Sequence, residues 1–281
     1  MKSLTKKQKA FSQDGYYLEK DVFSSKEMKD IFISFYSICL NCAVRNKIVH
    51  NAPSLSEINY PENLKDLDLL LISIIKAKKG LLGEVYDTFA YSMVFMRFLS
   101  NKKVESLAKE LLRVDNNEAL YGFANRMRID APSDERRTYG WHQEVYYNLP
   151  YSRFIQTWCP IMRSTSIQNG TLKVKKGSHK AGIVKQSWHD YENRVTQIIV
   201  DPSITEKYET LSIEMGVGDL LFFDSHLIHK SGHNSTKDEV RFSLVGTWND
   251  VSKKEFRAPL PNFKSRTISF EEYFRKSQNL N

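Results

Sequence analysis

The sequence predicts a mainly β protein with helical additions, and three observations carry that fold class. After about residue 119, seven short β-favourable runs alternate with turn residues: ALYGFANRMRI, FIQTWCPIM, GTLKVKKGS, TQIIV, LSIEM, DLLFFDS and RFSLVGTW. Intervals this short leave no room for crossover helices, so the pattern argues for a sandwich or jelly roll, not a parallel sheet. Before residue 119, apolar residues recur at helical spacing instead. No linker rich in Gly, Ser or Pro divides the two textures, and no repeat of 20 to 50 residues appears. The chain therefore reads as one domain, 1–281, with a largely helical preface (1–118), a jelly-roll core (119–250) and a C-terminal tail (251–281).

The elements follow in order. Residues 5–20 read as a short helix and a strand, with Asp14-Gly15 as the turn. Ser24-Ser25-Lys26-Glu27 has the form of a helix start ahead of Met28, Ile31, Phe32 and Phe35, and that helix runs into the forties. Leu67, Leu70, Leu71, Ile74 and Ile75, then Val85, Phe89 and Met93, predict two helices broken near Lys79-Gly80. The tail is irregular, with a short helix expected at Phe270–Lys276.

Composition excludes several classes. At 41% hydrophobic and 26% charged, the chain is neither disordered nor low-complexity. No apolar stretch approaches the roughly 18 residues a membrane span needs. The start, MKSLTKKQKAF, has a basic region with no apolar region behind it, unlike a secretory signal. Three cysteines give no disulfide framework. Cys39 and Cys42 lack the second pair a structural zinc requires, and read as small apolar residues on one buried helix face. A cytoplasmic location follows as the expectation.

The net charge is +8. It concentrates in residues 101–200, where 16 basic and 10 acidic side chains give +6. Such a field draws in an anionic ligand or a nucleic acid alike, and a solvated lysine-rich surface accounts for it as well. No nucleic-acid motif is visible.

Two segments carry chemistry. In Trp141-His142-Gln143-Glu144, strand geometry would place His142 and Glu144 on one face, as two thirds of a 2-His-1-carboxylate iron site. In the segment from Gly218-Asp219 to Gly232, a turn leads into an apolar strand that ends in histidine. There His226 and His229 are three apart and cannot both ligate one metal from that strand, while Ser231 shares a face with His229. Arg241 follows in a predicted core strand. A buried guanidinium needs a partner: a dicarboxylate co-substrate, or a neighbouring Asp or Glu.

Taken together, these blocks resemble the phytanoyl-CoA dioxygenase family of Fe(II)/2-oxoglutarate-dependent oxygenases. The likeness rests on Phe11-Ser12-Gln13-Asp14-Gly15-Tyr16-Tyr17, on Trp141-His142-Gln143-Glu144, on Asn169-Gly170-Thr171-Leu172 with Gly177-Ser178-His179, and on Gly218 through His229 to Arg241. The resemblance implies a double-stranded β-helix (jelly-roll, cupin-like) core with the N-terminal helices packed on it. It implies His142, Glu144 and His229 as ligands of Fe(2+), and Arg241 with Ser231 on the distal carboxylate of 2-oxoglutarate. Gln143 and Trp158 would line the co-substrate pocket, and His179 would be structural. The family usually has aspartate where this chain has Glu144; a carboxylate there argues against halogenation. The implied reaction consumes O2 and 2-oxoglutarate, releases succinate and CO2, and hydroxylates an unactivated C–H of a small anionic metabolite. Among Arg126, Arg128, Arg136, Arg137, Tyr146, Tyr147 and Arg153, some are candidates to receive that substrate; the other reading of them is strand-face pairs and rim charges. Two alternatives stand beside this reading: a non-catalytic jelly-roll binding module, and a metal-dependent cupin-type isomerase or epimerase.

Overall fold

A computed structural model of the chain describes residues 3–78, 80–132, 134, 138–146, 154–191 and 196–256. Its first half is helical: α1 (Lys6–Asp14), a short strand β1 (Tyr16–Glu19), α2 (Ser25–Arg45), α3 (Leu64–Ala77), α4 (Leu81–Ala90), α5 (Met93–Leu99) and α6 (Lys102–Leu112). The helix starts are chemically marked. Thr5 and Ser24 each cap their helix by accepting a backbone N–H, and Gln8 and Glu27 return the bond to close a capping box. Cys39 and Cys42 are both buried on α2, as read from the sequence. The break near Gly80 is present, with Gly80 at φ +102°. A second break comes at Ser92, which caps the N–H of Phe95, so the region holds three helices where two were expected. A hydroxyl that satisfies an orphan N–H ends one helix and starts the next more cheaply than a continuous helix can.

The second half holds β2 (Leu120–Asp130), β3 (Phe154–Pro160), β4 (Leu172–Lys175), β5 (Gln186–His189), β6 (Gln197–Val200), a short α7 (Pro202–Thr205), β7 (Thr210–Ile213), β8 (Leu220–Asp224), β9 (His229–Ser231) and β10 (Arg241–Asp250). They form a five-stranded sheet β1-β8-β3-β10-β2, a three-stranded sheet β7-β4-β9 and a β5-β6 pair. Every pairing is antiparallel. The expected apolar strand ending in histidine divides in two, because β8 stops at Asp224 and His229 opens β9. The helix expected at Phe270–Lys276 lies outside the described residues.

Period-two alternation decides which side chains meet. In β2, Met127 and Ile129 face the helices while Arg126, Arg128 and Asp130 face the other way. In β10, Phe242 and Leu244 join the helices in one apolar cluster. Val245 instead joins Trp158, Leu172, Val174, Leu221 and Phe223 in a second cluster between the sheets. Phe35 of α2 ties the layers together, edge-on to Phe89 (5.2 Å) and to Phe242 (6.0 Å). Asp68 of α3 reaches across to accept the backbone N–H of Val240 at 3.1 Å and pairs with Arg163. The helical layer is thus clamped to the residue that precedes Arg241. Among the described residues, no helix is long and apolar enough to cross a membrane.

Candidate metal centre and its cavity

The first histidine reaches the site through a bridge, not a regular strand. His142 and His229 exchange both backbone N–H···O bonds at 3.0 Å, forming an isolated antiparallel β-bridge. Glu144 then opens a 3-10 turn, Glu144–Tyr146, and its N–H donates to the Ser225 carbonyl at 3.2 Å. The expectation that His142 and Glu144 share a face holds, but a bridge followed by a tight turn achieves it. All three side chains are buried, and their ligand atoms lie within 4.8 Å of one another. Glu144 Oε2 stands 3.6 Å from His142 Nε2 and 3.7 Å from His229 Nε2. Two donors each about 2.1 Å from one ion sit roughly 3 to 3.5 Å apart, so a small inward movement closes the set on a metal.

Both imidazoles are oriented in the same way. His142 Nδ1 lies 2.8 Å from the Gly140 carbonyl, and His229 Nδ1 lies 2.9 Å from the Leu227 carbonyl. A carbonyl only accepts, so each Nδ1 carries the proton and each Nε2 turns its lone pair toward Glu144. The electrostatics agree. Burial raises the Glu144 carboxyl, but at the low pH where it titrates the imidazolium forms count: the His142 hydrogen bond and charge, then the charges of His229 and Arg126, outweigh burial and hold the group at about 2. Burial, then the His142 charge, pushes His229 down to about 3. At neutral pH the site therefore offers a carboxylate and a neutral His229, the forms that bind metal.

The triad opens into a cavity of about 500 Å³, counting the part open to solvent. Arg126, Arg128, Tyr139, Gln156, Trp158 and Ser231 line it beside the triad. Two of the sequence-predicted residues, Trp158 and Ser231, therefore face the cavity. Gln143 does not. Its amide nitrogen donates to the carbonyls of Gly182 (2.8 Å) and His226 (2.6 Å), and its oxygen accepts from Val184 N and Gln186 Nε2. Flanked by His142 and Glu144, it points to the opposite side and is fully engaged in tying loops together.

Arg241 is buried behind the cavity wall. Its Nη2 pairs with Asp130 at 2.7 Å and its Nη1 donates to the Gly232 carbonyl at 3.2 Å. The neighbouring carboxylate foreseen as one possible partner is thus present. Yet Arg241 Nε and Ser243 Oγ, two positions apart on the same face of β10, are buried with no hydrogen-bond partner among the described residues. Gly170 lets the chain pass this close: a Cβ there would lie 2.7 Å from Arg241 Nη1 and 2.5 Å from Gly232 O. Sequence reasoning missed Ser243; its place two residues after an inward arginine was the available signal. His179 is structural, with its Nε2 3.1 Å from the Ser12 carbonyl and its ring against Gly15 at φ +83°, where a Cβ would clash at 2.5 Å. Of the candidate substrate residues, Arg126 and Arg128 line the cavity. Arg136, Arg137, Tyr147, Arg153 and the side chain of Tyr146 lie outside what the structure describes.

Two imidazoles and one carboxylate converging between the sheets of a jelly roll form the donor set of a 2-His-1-carboxylate metal site. Comparison with known proteins fits that class. Residues 11–243 match the family model described as Phytanoyl-CoA dioxygenase (PhyH), and the chain belongs to that family. A Caenorhabditis elegans protein named "Probable phytanoyl-CoA dioxygenase" is 24% identical over 238 residues, 79% of this chain and 74% of that protein. Among solved structures, the epimerase SnoN in complex with Fe3+, alpha ketoglutarate and nogalamycin RO aligns with TM-score 0.58 at 14% identity, covering 94% of this chain and 92% of its own. EctD from S. alaskensis with 2-oxoglutarate and 5-hydroxyectoine aligns with TM-score 0.57 at 18% identity, covering 87% and 75%. At these identities the structural likeness speaks for the fold.

Proposed function

We propose that the chain is an Fe(II)/2-oxoglutarate-dependent oxygenase that hydroxylates an unactivated C–H of a small anionic metabolite. The observation that carries this reading is the convergence of His142, Glu144 and His229, with both histidines held at Nδ1 by a backbone carbonyl so that Nε2 faces the Glu144 carboxylate. The donor set of two nitrogens and one carboxylate suits Fe(II) and leaves coordination positions for a co-substrate and O2. Family membership supports the same cofactors.

The remaining residues fit 2-oxoglutarate. Among the described residues Arg241 Nε and Ser243 Oγ are unsatisfied buried donors on one strand face, and an unmade buried hydrogen bond costs about 1–3 kcal/mol. A carboxylate would satisfy both. Ser231, on the cavity wall, adds a hydroxyl to the same anion, and Trp158 and Phe223 close the wall with apolar surface that excludes water. When bound, iron and 2-oxoglutarate supply O2 activation coupled to oxidative decarboxylation of the co-substrate to succinate and CO2. The protein holds the ligand tautomers, neutralises the co-substrate and shields the site.

Anaerobic Fe(II) plus 2-oxoglutarate should give a visible charge-transfer band that His142→Ala abolishes, and aerobic turnover should release succinate. A purified protein that does neither sinks the reading. Arg241→Ala should raise the 2-oxoglutarate requirement far more than it weakens iron binding; equal damage to both would contradict its role. An epimerase outcome is the second reading, since SnoN is an epimerase in complex with Fe3+ and alpha ketoglutarate, and product analysis separates it from hydroxylation.

A further inference from the structure

The cavity wall carries one more cation than the metal and co-substrate use. Antiparallel register sets Arg241 opposite Asp130, Ser243 opposite Arg128 and Val245 opposite Arg126, so three arginines share the inward face of adjacent strands. Two of them are committed. Asp130 takes Arg241 at 2.7 Å and Arg128 at 3.3 Å, and the Arg128 guanidinium also stacks 5.3 Å over the Tyr139 ring. Arg126 lines the cavity yet is exposed, and has no hydrogen bond or ion pair among the described residues. The charge it meets is that of Glu144, whose carboxylate it helps to stabilise.

Charge balance gives this a direction. A divalent ion, the Glu144 carboxylate and a dianionic co-substrate sum to minus one with both histidines neutral. Arg241, Arg128 and Asp130 together return plus one, leaving the loaded site neutral. Arg126 then stands as one surplus positive charge at the open side of the cavity.

We propose that Arg126 anchors the primary substrate, its guanidinium gripping an oxyanion of that molecule, a carboxylate or a phosphate, beside the metal centre. Resting on the oxygenase reading above, this names the group by which the substrate is recognised. A guanidinium presents paired N–H donors in a plane, matching both oxyanions with a two-pronged contact that a lysine cannot reproduce. Because anchor and metal ligands line one cavity, the C–H presented for oxidation lies a few bonds from the anionic group. Arg128 is the weaker candidate because its charge is already shared with Asp130.

The test uses acetate, inorganic phosphate and neutral acetamide as probes. They are titrated in two states: the metal-free protein, read through its arginine Nε–H resonances, and the anaerobic Fe(II)–2-oxoglutarate protein, read through its charge-transfer band. Acetate or phosphate should saturate in the wild type and acetamide should not. Arg126→Gln should weaken the anion at least tenfold, and Arg126→Lys should recover part of the loss. The tighter of the two anions assigns carboxylate or phosphate. Absence of saturation by either anion up to about 50 mM, an affinity unchanged in Arg126→Gln, or competition between the anion and 2-oxoglutarate would each overturn the proposal. If instead Fe(II) and 2-oxoglutarate give no band, the oxygenase reading fails, while the metal-free titration still reports on Arg126.

Discussion

The five-stranded and three-stranded sheets are built from similar residues and live in different surroundings. All ten residues of β10 and all seven of β3 are buried. In β7 of the smaller sheet only Ile213 is buried, while β4 and β9 beside it bury all but Lys173 and Lys230. The larger sheet has helices on one face and the cavity on the other, so even Arg241 and Ser243 of β10 are sealed. The smaller sheet meets solvent on its outer face. The site divides along the same line. The histidines come from the smaller sheet's edge, His229 on β9 and His142 bridged to it, whereas Arg126, Arg128, Arg241 and Trp158 come from the larger sheet. The histidine donors thus sit at the smaller sheet's edge, and the cations on the larger sheet.

Four substitutions bear on this contrast, in falling order of effect. His229→Ala removes a ligand from the smaller sheet. Activity should drop by at least ~10³-fold, with iron binding lost and the fold kept, as read by succinate release and metal content. If iron binding persists, the metal centre is not where the two sheets meet. Phe242→Ala removes a ring shared by α2 and β10 and should destabilise the protein by about 3–5 kcal/mol in urea unfolding. A loss under 1 kcal/mol would mean the helical layer does not seal the larger sheet.

Asp130→Asn tests the sealed charges. Burial raises the Asp130 carboxyl, but Arg241 and then Arg128 pull it lower and hold it at about 2. Its folded value lies below the unfolded value of about 3.9. The carboxylate's contribution is therefore fully present above pH ~4 and is lost as pH falls toward 2. That contribution is about 2–3 kcal/mol. The stability gap between wild type and Asp130→Asn should be wide at pH 6 and narrower at pH 3. A gap independent of pH would show that Asp130 does not hold the arginines as a charged partner. Trp188→Ala, on the exposed face of β5 where the side chain is 41% accessible, should change stability by no more than about 0.5 kcal/mol. A larger loss would place something on that face.

Legibility in the sequence follows this division only in part, since the runs that contain β4, β6 and β7 of the smaller sheets were also visible. β2, β3, β8 and β10 appeared as long apolar runs because both faces of the larger sheet are covered. The three-residue β9 and the polar β5 left no run to find, since solvent imposes no apolar pattern on an outward face. The His142-x-Glu144 pair and His229 were legible because donor types must be kept wherever a metal is bound. Gln143 was placed at the pocket by the family resemblance, although alternation already sets it opposite His142 and Glu144, and only the fold shows its amide satisfied elsewhere.

By itself the sequence determined the class of fold, the three metal-type donors and the inward arginine of β10, because periodicity and residue chemistry are local. Tertiary structure alone decided that a bridge between segments 87 residues apart brings His142 and His229 face to face, that Asp130 shares itself between two arginines, and that Arg126 has no hydrogen bond or ion pair among the described residues. Pairing and register are long-range, and the neutralisation of a buried charge depends on what the register sets beside it.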